Sequence, residues 1–139
     1  MLRKRVVILV DDDPALRDVL RTALLEMDVP SGEVLVYPVG SAAEALLYLG
    51  SIKPDLLILD LKLPDADGVD LCRRLRRDPA LRGVPVLAIS ALTPVGEVRE
   101  RALSAGATRF LAKPFDLAVF AKQVRALLPD KRDQGAVER

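Results

Sequence analysis

Residues 6–10, Val-Val-Ile-Leu-Val, form an unbroken apolar run that stops at three consecutive aspartates, Asp11, Asp12 and Asp13. A half-exposed strand would alternate apolar and polar side chains, so a continuous β-branched run of this length predicts a strand covered on both faces. Four further runs look similar: Glu33 to Val39, Leu56 to Leu59 ending at Asp60, Val84 to Ile89 ending at Ser90, and the shorter Thr108 to Ala112 followed by Lys113. Between them apolar residues recur at helical spacing, as in Leu16, Leu20, Ala23 and Met27, or Val95, Val98, Ala102 and Ala105, and again in Leu117, Phe120, Val124 and Leu127.

The punctuation agrees with that division. Asp13 before Pro14 predicts an N-cap with proline in the first turn, Ser41 with Glu44 a capping box, and Asp67 before Gly68 a further cap. Gly106 should close a helix and Pro129 end the last one. Strand and helix thus alternate five times, which implies an α/β domain with an open, doubly wound parallel sheet and helices on both faces. Residues 130–139 are polar and aperiodic, so the expected division is a domain over 1–129 and a tail or linker stub over 130–139.

In such a sheet all strands point their C-terminal ends to one edge, where ligands bind. The polar residues of the chain fall at those ends: Asp11 and Asp12 after the first strand, Asp60 after the third, Ser90 after the fourth and Lys113 after the fifth. Carboxylates gathered without compensation repel and raise each other's pKa, and a bound cation relieves this. Oxygen donors without histidine or cysteine favour magnesium, or a similar ion such as manganese. Asp60 is then the natural nucleophile for an aspartyl phosphate, with Lys113 and Ser90 offering a positive charge and a hydroxyl to the phosphoryl oxygens.

Composition removes alternatives. The chain contains no histidine, so it cannot itself donate phosphohistidine or build a histidine-ligated metal site. Cys72 is the single cysteine, which excludes an internal disulfide and reads as a small core residue. Lys and Arg number 21 against 20 for Asp and Glu, a balance without general attraction to nucleic acid or membrane. The apolar run after residues 1–5 is too short for a signal-peptide core and no segment has membrane-spanning length, so a soluble, cytoplasmic protein is expected. The arginine run Arg73, Arg74, Arg76 and Arg77, with Arg82 beyond, reads as a solvated helix face opposite Leu71 and Leu75, and Asp65 as a solvated loop residue.

Taken together, V-D-D-D-P, L-D-L-K-L-P-D-A-D-G, I-S-A and K-P-F occur in order at four strand ends, and over residues 5–128 the chain resembles the response-regulator receiver domains of two-component signalling. The resemblance implies the flavodoxin-like (βα)5 fold with strand order 2-1-3-4-5. It implies Asp12 as a direct metal ligand, Asp11 as one acting through water, and the Lys62 backbone carbonyl as a further ligand. It further implies Asp60 as phosphoacceptor, Phe110 as an aromatic that rotates inward when Ser90 moves to the phosphate, and a cis Lys113-Pro114 bond. The implied partners are a histidine kinase or phosphotransfer protein and an unidentified effector, with a possible homodimer through the fourth helix, fifth strand and fifth helix.

Rival readings fare worse. A haloacid-dehalogenase-like phosphohydrolase wants an aspartate two residues after the nucleophile, where this chain has Lys62. A flavin binder on the same fold wants a Ser/Thr- or Gly-rich phosphate loop where Asp11, Asp12 and Asp13 stand, and no P-loop occurs. Gly96 after Pro94 should weaken the start of the fourth helix. The residues after Pro129 are too few for an effector domain, so a stand-alone regulator or a receiver belonging to a longer chain is expected, and the linker-like tail favours the latter.

Overall fold

A computed structural model describes residues 4–27 and 33–128. Pro129, the tail 130–139 and the first three residues, on which some of the expected boundaries fall, lie outside the described residues. The elements run β1 (Arg5–Val10), α1 (Pro14–Leu25), β2 (Val34–Val39), α2 (Ala42–Leu49), β3 (Leu56–Asp60), α3 (Gly68–Arg77), β4 (Val86–Ser90), α4 (Val95–Ser104), β5 (Arg109–Ala112) and α5 (Leu117–Leu127). All five strands are parallel in the order β2-β1-β3-β4-β5, as the resemblance implied.

The unbroken apolar runs are explained by burial on both faces. Ile8, Val10, Leu57 and Leu59 point to one side and pack with Ala45 of α2, Leu75 of α3 and Ala102 of α4. Val7, Leu9, Leu56 and Ile58 point to the other and meet Leu20 and Leu24 of α1 and Phe120 and Val124 of α5. These strand side chains have no exposed surface, so truncating one to alanine costs about 3 kcal/mol. β4 begins at Val86 rather than Val84 because Pro85 has no N–H for the ladder.

The expected helix starts form, with refinements. Asp13 accepts the Ala15 N–H at 3.0 Å with Pro14 following, and Asp67 accepts the Val69 N–H at 2.9 Å. At α2 the Ser41 hydroxyl oxygen accepts the Glu44 N–H at 3.2 Å, but the return arm differs from a capping box: Glu44 Oε1 lies 3.5 Å from the Ser41 hydroxyl. Gly106 closes α4 at a φ of 112°, where a Cβ would also collide with the Arg76 side chain. α4 itself starts at Val95 with no side-chain cap, and Gly96 faces open space, in keeping with a weak first turn. The Lys113-Pro114 bond is cis as implied, and Thr93-Pro94, which nothing in the sequence singled out, is cis as well.

Two expectations about charged residues are corrected. Asp65 is no idle loop residue: its two carboxylate oxygens accept the N–H groups of Ala42 and Ala43, each at 2.9 Å, and so cap α2 across 23 and 22 residues of chain. Arg76 leaves the solvated face and donates to the Gly106, Arg82 and Val84 carbonyls, tying α3 to the starts of β4 and β5. Arg73, Arg74 and Arg77 do remain exposed. Cys72 is buried, and burial pushes its thiol above the usual value, as befits a core residue.

Candidate phosphoacceptor and metal site

β1, β3 and β5 deliver their terminal polar residues to one spot. Asp11 continues the β1 ladder by donating its N–H to the Val39 carbonyl, which fixes its carboxylate beneath the sheet edge, fully buried. Asp60 is the last residue of β3 and only 4% exposed. Lys113 reaches back from the end of β5, its Nζ 2.9 Å from Asp11 Oδ2 and 2.8 Å from Asp60 Oδ2. The other oxygens are held by backbone amides: Asp11 Oδ1 accepts the Asp13 N–H at 2.9 Å and Asp60 Oδ1 accepts the Lys62 N–H at 3.0 Å. Both buried carboxylates are thereby locked in orientation.

Asp12 is exposed and completes a triad with Asp11 and Asp60, each offering an oxygen within 4.8 Å of the others. Three carboxylates against one ammonium leave an excess of two negative charges. Both ionisable partners are shifted. Burial pushes the Asp60 carboxyl above 3.8, overriding the hydrogen bonds from Lys113 and the Lys62 amide, and the Asp11 charge adds to the rise. Burial acts to lower the Lys113 ammonium, but its hydrogen bonds to Asp60 and Asp11 outweigh it and hold the group above 10.5. An all-oxygen donor set with two uncompensated negative charges fits a hard divalent cation such as magnesium.

Above these groups opens a cavity of about 300 Å³ lined by Asp12, Asp60, Lys62, Ala91, Leu92 and Lys113. The sequence pointed to Ser90 on this wall, but the residues that line it are the next two, Ala91 and Leu92. Ser90 ends β4 as expected, 1% exposed, with its hydroxyl oxygen accepting the Leu92 N–H at 2.9 Å. Phe110 is buried in β5 among the core residues, and the Arg99 guanidinium of α4 sits 5.3 Å from its ring centroid.

Three supporting features escaped the sequence. Arg17 of α1 donates to the Asp11 carbonyl at 2.7 Å and packs over Gly40, though its helical position looked like that of any solvated arginine. Gly68 lies so close to β3 that a Cβ would stand 2.7 Å from the Asp60 carbonyl oxygen and from Leu61 Cα. An apolar groove of about 450 Å³, formed by Leu16, Val19, Pro114, Phe115 and Leu117, meets the acidic cavity at Ala91 and Lys113, which line both.

A family profile described as the response regulator receiver domain matches residues 7–125. The chain is 36% identical over 124 residues to the DNA-binding dual master transcriptional regulator RpaA of Synechocystis, covering 88% of this chain and 48% of that one. To the KDP operon transcriptional regulatory protein KdpE of Escherichia coli it is 38% identical over 122 residues, covering 88% and 50%. The crystal structure of the signal receiver domain of a signal transduction histidine kinase from Syntrophus aciditrophicus matches with a TM-score of 0.78 at 33% identity, covering 89% of each chain. The chain spans about half the length of these two curated relatives.

Proposed function

Because the chain belongs to the response regulator receiver domain family, we propose that Asp60 is its phosphoacceptor, taking a phosphoryl group from a phosphohistidine on a partner kinase or phosphotransfer protein. The observation that carries this reading is the double bridge of Lys113 to Asp11 and Asp60, with Asp12 alongside. An Asp60 oxygen attacks phosphorus, the P–N bond to the donor imidazole breaks, and the imidazole leaves with its electron pair and is protonated. No general base is needed, because the nucleophile reacts as the carboxylate.

Asp12 and Asp60 would hold magnesium, with Asp11 acting through water and the Lys62 carbonyl as a further ligand. The bound ion would supply charge neutralisation for the transferring group. Lys113, released from one carboxylate, follows the phosphoryl oxygens with its ammonium, and the Lys62 amide keeps the Asp60 side chain oriented.

Readout then requires the Ser90 hydroxyl to leave the Leu92 amide for the phosphoryl group, with Phe110 following and the α4-β5-α5 surface changing its population of states. That surface serves the effector or a second copy of the chain. Incubation with acetyl phosphate, with and without magnesium, tests the reading. A single phosphoryl mass gain that needs the metal and is absent from Asp60→Asn is expected; labelling that survives the substitution overturns it.

A further inference from the structure

Resting on that reading, we infer that Asp65 is a positioning residue for the metal site, setting the place of the Lys62 carbonyl by clamping the β3-α3 loop to the N-terminus of α2. The loop is short and tightly closed. Lys62 pairs antiparallel with Asp67, the Gly68 N–H donates to the Leu61 carbonyl at 2.8 Å, and Gly68 presses against the Asp60 carbonyl with no room for a side chain.

Leu63 anchors the near side of the loop by burial in the core, whereas Pro64, Asp65 and Ala66 at its tip are exposed. Among the described residues the hydrogen bonds that tie this tip to the rest of the fold are the two from Ala42 and Ala43 to Asp65, each 2.9 Å. They are charge-assisted bonds to free amides at a helix start, the arrangement in which a carboxylate binds backbone most firmly. The carboxylate is correspondingly held below its usual pKa, with the Ala42 amide as the leading cause. Lys62 sits three residues before this anchor and two after Asp60, and its pairing with Asp67 joins it to the far side of the same loop, so the anchor at Asp65 sets the frame in which the Lys62 carbonyl is held.

A plain helix cap would explain the same two bonds, and α2 supplies the control. Ser41 also caps α2, through the Glu44 amide, but it belongs to the β2-α2 connection and has no bond to the β3-α3 loop. Magnesium alone is therefore titrated into the wild-type protein, Asp65→Ala, Asp65→Asn and Ser41→Ala by calorimetry, with thermal melts of each in parallel. Loss of an outer residue that orients a metal ligand weakens affinity by on the order of 10-fold. That loss is expected for Asp65→Ala and a smaller one for Asp65→Asn, which keeps one acceptor oxygen, while Ser41→Ala lowers the melting temperature but leaves magnesium affinity at the wild-type value. Faster amide exchange over residues 62–67 in Asp65→Ala alone should accompany this.

Wild-type affinity in Asp65→Ala, or equal weakening in Asp65→Ala and Ser41→Ala, overturns the positioning role while the metal reading stands. Failure of the wild-type protein to bind magnesium overturns both.

Discussion

Replacing Lys113 with methionine leaves Asp11 and Asp60 facing each other without their shared cation, and the fold should suffer measurably. The two contacts, at 2.9 and 2.8 Å, involve side chains 18%, 0% and 6% exposed. At an effective dielectric of about 20, each ion pair at this spacing carries a gross attraction of about 6 kcal/mol. Much of this is offset in the wild type by the desolvation of the lysine, yet removing one partner leaves the other charges buried, which costs about 3 kcal/mol at the lower end of the usual range. The lower end applies because the cavity above opens to water. For a domain of this size the loss corresponds to a fall in melting temperature of about 10 °C.

The pH dependence gives the test a second axis. Lys113 has a folded pKa above 10.5, so its stabilisation is present below 10.5 and is lost as pH rises through the folded value. Asp60, raised above 3.8 by burial, favours the fold most when protonated, and that contribution fades as pH rises through its folded pKa. The lysine is thus most valuable once the Asp60 carboxyl has ionised. Circular-dichroism melts at low salt without divalent ions should show the full gap near about pH 7 and a smaller one near about pH 4. A Lys113→Met melt within about 2 °C of wild type at neutral pH, or a gap that widens in acid, would refute the reasoning.

Gly68→Ala places a methyl 2.7 Å from the Asp60 carbonyl and should cost about 2 kcal/mol in urea unfolding, with weakened magnesium binding because the β3 end must shift. Arg76→Met, which strips the guanidinium donors from three backbone carbonyls, should destabilise by about 2 kcal/mol; exposed Arg74→Ala should change stability by less than about 0.5 kcal/mol. The Asp65 carboxyl, followed by NMR, should titrate below 3.8. Because its folded pKa is depressed, its contribution to stability is present above the unfolded value and lost as pH falls through the folded one.

Much of the molecule was legible because the signals were redundant. The apolar runs specify buried strands, and four of the five end at a polar residue whose chemistry makes sense at a shared edge, so the convergence of Asp11, Asp12, Asp60 and Lys113 followed from the common direction of parallel strands. Side-chain partners across the fold were not legible. Asp65 and Arg76 look like solvated charges, since their targets are backbone groups brought near by tertiary packing, and a backbone amide or carbonyl leaves no mark in the sequence. Arg17 escaped for the same reason. Ser90 was placed correctly along the chain, but the direction of its hydroxyl is set by the turn to Leu92, which no residue pattern encodes. Gly68 was visible as a helix-start glycine, whereas its contact with β3 depends on the distance between two elements.

The role of Asp60 can be read directly from the product. Protein treated with acetyl phosphate and magnesium is reduced with borohydride, which converts an aspartyl phosphate to homoserine, and the modified residue is located by tandem mass spectrometry. Homoserine at position 60 and at no other aspartate is the expected result. Homoserine at position 11 or 12, or phosphoryl label on a hydroxyl residue with none at Asp60, would contradict it.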